Sequence, residues 1–214
     1  MTDTIAVLAA QGRSGRACVQ ALLQAGYRVR AGVRSKGTFA PHPLLDEIPC
    51  DVLDQGDVAR LLDGASAVVS MIGHNRRSSP TVQSTAIRHC LGIIAERQPD
   101  TRLVSLTGTG VRLPGDRIPL LDRAANAAIA LVDPKRIADG KEHVRLLQEG
   151  PAGFTILRVL KLVNGPHHGG VRLTPHGPAE LFTPRARVAA AVVQVLREGS
   201  FARQLPVISG GSHP

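Results

Sequence analysis

Residues 4–34 constrain the fold of this 214-residue chain more than any other segment. Residues 5–10, IAVLAA, are all apolar, which is typical of a parallel strand buried on both faces. A turn containing Gly12 and Gly15 follows, and then a run whose apolar residues recur at helical spacing. In residues 27–33 arginines alternate with apolar residues, which predicts another strand. The segment therefore predicts a strand, a glycine turn, a helix and a second, parallel strand.

A unit of this kind suits a dinucleotide, because turn glycines let the backbone approach a pyrophosphate and the helix N-terminus offers free N–H groups. Ala9 occupies the first position of the usual glycine pattern, where alanine makes the turn if its φ is negative. Arg34 ends the second strand, where an acidic residue would bind a ribose 2′-hydroxyl, so the sequence favours NADP(H) over NAD(H). Arg13 would add a second cation or stack on adenine. The alternatives are a turn used only for packing and a solvated Arg34.

The rest of the chain alternates strand and helix patterns. Strands are expected at residues 47–51, 66–72, 101–107, 153–159 and 204–209, the last at a sheet edge, and helices at 57–62, 80–98, 124–132, 134–148 and 184–197. We therefore expect an α/β, Rossmann-like, doubly wound parallel sheet in three α/β/α layers, with a small C-terminal lobe. Residues 1–214 would form one nucleotide-binding domain. Residues 35–45 and 111–122 are expected to be loops, and residues 160–183 an irregular segment on the substrate side.

Ligands bind beyond the carboxyl ends of the strands in such a sheet. That rule brings together residues 12–15, Arg34, Asp51, residues 73–77, and Thr107 with Gly108. Asp51 and Asp54 are also candidates for capping the short helix at 57–62. Two further sets have open alternatives: a substrate-facing or a surface position for His74 and Asn75, and attraction of an acidic substrate or plain surface charge for Arg76, Arg77 and Arg112.

The composition narrows the partners. The formal net charge is +9, but the arginines are scattered and aromatic residues make up 2% of the chain, so nucleic acid is not expected as the main partner. No segment is typical of a membrane span or a signal peptide, which favours a cytoplasmic protein. We expect a monomer or a homodimer. Metal binding is not expected, because the adjacent His167 and His168 lack a third ligand. Three residues should be reduced, partly buried thiols: Cys18, Cys50 and Cys90.

Several motifs together resemble one family. They are AAQGRSG at residues 9–15, CDVLDQGDVARLLDGASAVVSMIG at 50–73, SSPTVQSTAIRHCLGII at 78–94, RLVSLTGTGV at 102–111 and FTILRVLKLVNGPHHGG at 154–170. Over nearly its whole length the chain resembles the atypical short-chain dehydrogenase/reductases of the NmrA-like, NAD(P)H-binding group. Within that group it looks most like the biliverdin reductase B (flavin reductase) branch.

The resemblance implies a set of cofactor contacts along the strand ends. It places Ala9, Gly12, Arg13, Ser14 and Gly15 at the pyrophosphate, Arg34 at the 2′-phosphate, Asp51 and Val52 along the adenine, Ile72 and Gly73 behind the ribose and diphosphate, and Thr107 and Gly108 at the nicotinamide. Lys141 would contact the nicotinamide ribose hydroxyls or be a solvated helix charge. Thr107 would donate to the carboxamide or substrate, or bond to the backbone at the strand end.

The chain departs from the family at the positions that carry acid–base chemistry. Many short-chain reductases use Tyr-x-x-x-Lys, but Ile137 stands four residues before Lys141, and the one tyrosine is Tyr27. Gly108 replaces a frequent serine, and Val159 a proline. No usual dyad can be assembled, so the catalytic residues are unknown, with Thr107 and Lys141 as weak candidates.

Three functions remain open. The first is an NADPH-dependent oxidoreductase that transfers a hydride to a small, flat acceptor, such as a flavin, a quinone or a tetrapyrrole, with solvent able to supply the proton. Arg76, Arg77 and Arg112, if they attract the substrate, suggest that this acceptor is anionic. The second is a non-catalytic, NADP(H)-binding regulatory protein of the NmrA-like type. An epimerase or isomerase is a third possibility, against which the missing tyrosine counts.

Overall fold

The computed structural model describes residues 3–75 and 78–210. In chain order the elements are β1 (Thr4–Leu8), α1 (Arg13–Gln24), β2 (Arg28–Val33), β3 (Leu45–Pro49), α2 (Gln55–Leu62), β4 (Ala67–Ser70), α3 (Val82–Arg97), β5 (Arg102–Gly108), α4 (Leu120–Val132), α5 (Pro134–Glu149), β6 (Phe154–Val159), β7 (Leu162–Val163), β8 (Arg172–Thr174), β9 (Thr183–Pro184), α6 (Arg185–Glu198) and β10 (Val207–Ser209).

Eight strands form the central sheet, in the order β3-β2-β1-β4-β5-β6-β10-β8. Every neighbouring pair is parallel except β10 with β8. The chain builds outward from β1 to β3, returns to the other side of β1, and then builds outward again from β4. This reversal is the point at which doubly wound sheets bind ligands. The Rossmann-like fold class predicted from the sequence is confirmed, and β7 with β9 forms a second, two-stranded sheet in the C-terminal part.

Two apolar layers cover the faces of the sheet. Strand β1 shows why, because its side chains alternate between them: Ile5 and Val7 belong to the layer under α1 and α6, and Ala6 and Leu8 to the layer under α2, α3 and α5. All four are 2% exposed or less. The continuous apolar run that predicted a strand buried on both faces is therefore explained by helices on both sides.

The edge of the sheet differs from the sequence expectation. Strand β10 was expected at an edge, but it lies between β6 and β8. The edge strand is β8, which pairs antiparallel with β10 through Leu173 and Ile208. Strand β8 has three residues in a segment rich in Gly, Pro and His, which is too short for an alternating pattern to be recognised. Residues 160–183 are accordingly less irregular than their composition predicts.

Some element boundaries also differ. Strand β3 spans Leu45–Pro49 rather than 47–51, and α4 begins at Leu120, inside the segment expected to be a loop. Asp54 caps α2 by accepting from the Asp57 N–H at 2.8 Å. Asp51 is not the cap, because its carboxylate accepts instead from the Leu53 N–H, in a turn that precedes the helix.

A buried ion pair connects β6 to the loops around it. Arg158 is 1% exposed, and its guanidinium bonds Asp116 through two nitrogens, at 2.5 and 2.9 Å. The remaining N–H groups donate to the carbonyls of Leu205 at 2.8 Å, Pro175 at 2.8 Å and Val111 at 3.3 Å. All five guanidinium donors are therefore used. Burial acts to raise the pKa of Asp116, but hydrogen bonds from Arg158 and the Leu113 N–H outweigh it and hold that pKa below its ordinary value.

Candidate functional site

A cleft of about 1590 Å³ opens at the carboxyl edge of the sheet. Most of the residues predicted from the sequence as cofactor contacts line it: Ala9, Gly12, Arg13, Ser14, Arg34, Asp51, Val52, Ile72, Gly73, Thr107 and Gly108. The structure therefore brings together residues from the ends of β1, β2, β3, β4 and β5. Two of the predicted contacts are not in the lining: Gly15 is buried in α1, and Lys141 is exposed on α5.

The turn after β1 depends on an unusual backbone conformation at Ala9. The expectation that alanine would make this turn with a negative φ is wrong, because its φ is +55°. This is the left-handed region, which glycine adopts freely and a Cβ disfavours. The turn is closed by the Gly12 N–H, which donates to the Ala9 carbonyl at 3.0 Å. Ala9 therefore holds a strained position that glycine occupies in the usual pattern.

Replacing Ala9 with glycine should relieve this strain and raise the free energy of unfolding by up to about 1 kcal/mol, after allowing for the extra freedom of glycine in the unfolded chain. Urea unfolding measures the change. The matched control is Ala10→Gly at the neighbouring position. Ala10 is fully buried and has no positive φ, so this variant should lose about 1 kcal/mol. Equal losses in the two variants would show that Ala9 is unstrained.

Gly15 lets α1 start close to the end of β1. A Cβ at this position would lie 2.3 Å from the Ala9 oxygen and 2.6 Å from the Ala10 oxygen. Gly12 is the N-cap of α1, and no side chain caps the helix. The N–H groups of the first helical turn are therefore left for a ligand, with the positive end of the helix dipole behind them. These donors, beside turn glycines, fit a pyrophosphate.

The loop after β2 presents Arg34 to the cleft. Its backbone N–H donates to the Gln11 side chain at 2.7 Å, and within residues 3–75 and 78–210 its exposed guanidinium makes no ion pair. Glu47 holds the following residues by accepting from the Gly37 N–H at 2.5 Å and the Phe39 N–H at 2.6 Å. An unpaired cation therefore stands on a braced loop. Sequence reasoning missed Gln11, because its contact depends on how β1 and β2 pair.

Asp51 and Val52 line the same cleft as Arg34. The Asp51 N–H donates to Asp57 Oδ2 at 2.9 Å, and this hydrogen bond is the main cause that lowers the pKa of Asp57. The Asp51 carboxylate accepts from the Leu53 N–H at 3.0 Å. The turn is thus held from both sides, and the exposed edge of the Asp51 carboxylate is free to accept another hydrogen bond.

Thr107 and Lys141, the two weak catalytic candidates, are not brought together in the cleft. The hydroxyl of Thr107 forms no hydrogen bond among the described residues, so it is not engaged by the backbone. A Cβ on Gly140 of α5 would lie 3.6 Å from this hydroxyl. The cleft-lining residues of α5 are Arg136 and Ile137, whereas Lys141 is in the solvent. Helix α5 therefore reaches the cleft without bringing a lysine into it.

His74 lines the cleft and is not an exposed loop residue. Its side chain is 9% exposed, and its Nε2 lies 2.9 Å from Oδ2 of Asp139, which is 1% exposed. Asp139 has no signal in the sequence, because the two residues meet only through the packing of α5 on α3. Asn75 also lines the cleft, whereas Arg112 is exposed outside its lining. Arg76 and Arg77 lie outside the described residues.

An apolar rim borders the cleft near α4 and β9. Leu121 is 68% exposed, Leu181 40% and Phe182 49%. The ammonium of Lys161 lies 5.2 Å from the centre of the Phe182 ring. Burial, and then the charge of Arg13, lower the pKa of Arg185, which also lines the cleft. Sequence reasoning missed this rim, because it is assembled from separate segments.

The histidine pair and the cysteines have surroundings that bear on metal and thiol chemistry. His167 Nδ1 accepts from Nε of Arg187 at 3.3 Å, and no group of metal-ligating residues occurs in the described part of the chain. The three cysteines are free and buried: Cys18, Cys50 and Cys90. Burial raises the pKa of each thiol to about 12, so none is a thiolate at neutral pH.

Solved structures share this architecture over almost the whole chain. A short-chain dehydrogenase/reductase from Veillonella parvula, in complex with NADP, is 18% identical, with a TM-score of 0.80 over 98% of this chain and 95% of that one. A candidate NADH-flavin reductase from Streptococcus pneumoniae is 20% identical, with a TM-score of 0.73 over 96% and 98%. A candidate epimerase from Bacteroides thetaiotaomicron is 20% identical, with a TM-score of 0.79 over both full lengths. At these identities the likeness shows the fold alone.

Comparison at the level of sequence identifies the family. None of the curated proteins compared with the chain matches it. Within the described residues, no helix has the length and apolar character needed to cross a membrane. The sequence model described as NAD(P)H-binding matches residues 9–199, which include every strand end that lines the cleft. The chain therefore belongs to the NAD(P)H-binding family of atypical short-chain dehydrogenase/reductases.

Proposed function

We propose that this protein is an NADPH-dependent oxidoreductase that reduces a small, flat acceptor, such as a flavin or a quinone, and that it favours acceptors with an anionic group. The observation that carries the proposal is that one cleft combines two kinds of lining. One part of the lining has uncapped helix donors and an unpaired arginine, and another part is an exposed apolar rim. A dinucleotide bound along the strand ends would have its reactive ring beside that rim.

The donor end of the cleft supports NADP(H) over NAD(H). Arg34 stands at the end of β2 without an acidic partner among the described residues, and its guanidinium can bind a phosphate through two N–H groups. Arg13 lines the cleft at the first turn of α1. Ser14 adds a hydroxyl beside the backbone donors of that turn. Bound there, the cofactor would supply the hydride, and these residues would hold and orient it.

The apolar end of the cleft supports a flat acceptor. Leu121, Leu181 and Phe182 expose apolar surface in the lining of the cleft, which suits the faces of an aromatic ring system. Lys161 and Arg185 lie in the same lining and would attract a phosphate or carboxylate on the acceptor. The solved neighbour described as an NADH-flavin reductase is compatible with such an acceptor.

The test is turnover. Purified protein should oxidise NADPH when FMN or a small quinone is added, and the decrease in absorbance of the reduced nicotinamide measures the rate. NADPH without an acceptor is the control. If the protein binds NADPH at micromolar concentration but oxidises it with no flavin or quinone of a broad panel, the proposal that it is an oxidoreductase is overturned. That result would favour the second candidate, a regulatory NADP(H)-binding protein, which is supported by the lack of a Tyr-x-x-x-Lys dyad.

Arg34→Ala should weaken NADPH binding by roughly 1.5–3 kcal/mol and leave NADH binding nearly unchanged, because only NADPH carries the 2′-phosphate. Titration of each reduced cofactor by fluorescence or calorimetry measures both affinities. The matched control is Arg28→Ala, at the opposite end of the same strand, where Arg28 faces Asp46 at 3.9 Å. Equal weakening of the two cofactors by the Arg34 variant would show that Arg34 does not bind the 2′-phosphate.

A further inference from the structure

The pair of His74 and Asp139 has the geometry of an oriented acid–base group. His74 follows the end of β4 and lines the cleft. Its Nε2 lies 2.9 Å from Oδ2 of Asp139, and the two side chains are 9% and 1% exposed. The pair therefore fixes the imidazole of His74 at the wall of the cleft.

Asp139 holds His74 in one tautomer. Its carboxylate also accepts from the backbone N–H of Gln83 at 2.9 Å, the backbone N–H of Ser84 at 3.0 Å and the Ser84 hydroxyl. These donors belong to the first turn of α3, whose own N-cap, Thr81, provides no side-chain cap. Nε2 of His74 faces two acceptors, Oδ2 of Asp139 at 2.9 Å and the Pro80 carbonyl at 3.4 Å, so this nitrogen carries a hydrogen. Nδ1 has no partner among the described residues, so it is the nitrogen that can exchange a proton.

The pair lies beside the strand ends at which the cofactor's reactive ring is proposed to sit. Strands β4 and β5 are parallel neighbours, with Ser70 opposite Ser105. His74 follows β4, and Thr107 is the penultimate residue of β5. Asp139 precedes Gly140, where an added Cβ would lie 3.6 Å from the Thr107 hydroxyl. His74 and Thr107 both line the cleft, and Asp139 is buried behind His74, outside the lining.

Few charged groups surround His74. Among the described residues, Asp139 is the charged group in contact with it, and Arg136 of α5 lines the same cleft. From α3, Gln83 and Ser84 are uncharged. Behind Asp139, burial lowers the pKa of His143 to about 4, so that ring is neutral at neutral pH. Asp139 is therefore the charged group of the described residues that holds the His74 ring in place, as a carboxylate orients the histidine of a catalytic triad.

We propose that His74 is the general acid of the reduction and that Asp139 is its positioning residue. This inference rests on the proposed oxidoreductase function. The acceptor takes a hydride, with its electron pair, from the reduced nicotinamide. The acceptor's π pair then moves to the neighbouring heteroatom, which takes the proton from Nδ1 of His74. The nicotinamide is oxidised and the acceptor is reduced by two electrons. His74 is left neutral with its hydrogen on Nε2, and solvent in the open cleft returns the proton.

The first test is His74→Gln, which keeps an N–H group toward Asp139 but cannot donate a proton. With NADPH and a quinone at saturation, kcat should fall roughly 100-fold or more, the usual contribution of a general acid. The dissociation constant for NADPH should change less than about threefold, since the residues proposed to hold the cofactor remain. The control is His42→Gln, an exposed histidine before β3, which should leave kcat unchanged. Added imidazole should partly restore turnover in His74→Ala.

Each outcome decides a different point. Turnover by the wild type, with kcat retained in His74→Gln, overturns the acid role alone. A wild-type protein that binds NADPH but reduces no acceptor overturns the proposed function and the acid role together. The ring nitrogens of His74 can also be followed by NMR in the wild type, which needs neither activity nor a stable variant. A neutral ring with its hydrogen on Nδ1, or a ring signal that NADP⁺ does not move, overturns the proposal.

Discussion

Arg158→Met should lower the free energy of unfolding by about 3–5 kcal/mol, because it leaves the Asp116 carboxylate buried without its cation. Asp116 has a side chain that is only 6% exposed. Three carbonyls, those of Val111, Pro175 and Leu205, would lose a donor at the same time. Urea unfolding measures the difference. For a protein of ordinary stability, this loss would be a large fraction of the total.

The matched control for this variant is Arg145→Met. Arg145 likewise pairs with carboxylates, those of Glu142 and Glu149, but it lies on the exposed face of α5. Its loss should cost less than about 1 kcal/mol, because water screens a surface pair and solvates the carboxylates that remain. The double variant Arg158→Met with Asp116→Leu should recover part of the stability. If the two single arginine variants lower the free energy of unfolding by similar amounts, the ion pair of Arg158 with Asp116 is not buried as the structure shows.

Gly15→Ala should be the most damaging small substitution at the cofactor end of the cleft. The added Cβ would lie 2.3, 2.6 and 2.7 Å from backbone atoms of Ala9 and Ala10, which cannot move aside as a side chain would. Helix α1 must shift away from β1, at a cost of about 3 kcal/mol. The shift would also displace the first-turn N–H groups, so NADPH should bind more weakly. Urea unfolding and NADPH titration measure the two effects.

The control uses the same chemical change where there is space. Gly92 lies inside α3, and a Cβ there would meet no atom within 4 Å. Gly92→Ala should therefore raise the free energy of unfolding by about 0.5–1 kcal/mol, the usual gain from alanine over glycine in a helix. The two variants are expected to differ in sign. If Gly15→Ala unfolds at the wild-type midpoint, α1 does not approach β1 as closely as the structure shows.

Local patterns predicted the parts of the fold whose signals are local. The run at residues 5–10 predicted β1, and the apolar spacing after Gly15 predicted α1, because burial on both faces and helical periodicity each leave a mark in adjacent residues. The carboxyl-edge rule then brought Arg34, Asp51 and Thr107 to one cleft without knowledge of distances. The three-residue strand β8 left no such mark.

Side-chain partnerships at the site could not be predicted in the same way. Arg158 is the one charged residue of the strand FTILRV, and no pattern near it in the sequence identifies Asp116 as its partner. His74 and Asp139 meet because α5 packs on α3. The positive φ of Ala9 was also missed, because alanine rarely adopts it and the packing of α1 on β1 imposes it.

The sequence by itself determined the class of fold, the family and the edge of the sheet at which a dinucleotide would lie, since each depends on patterns along the chain. The glycine turn was the centre of that inference. The tertiary structure decided which polar groups are buried together, which cations stay unpaired and which lysine is left in solvent. Those outcomes depend on the packing of helices on the sheet, where residues distant in sequence become neighbours and burial sets the strength of their interactions.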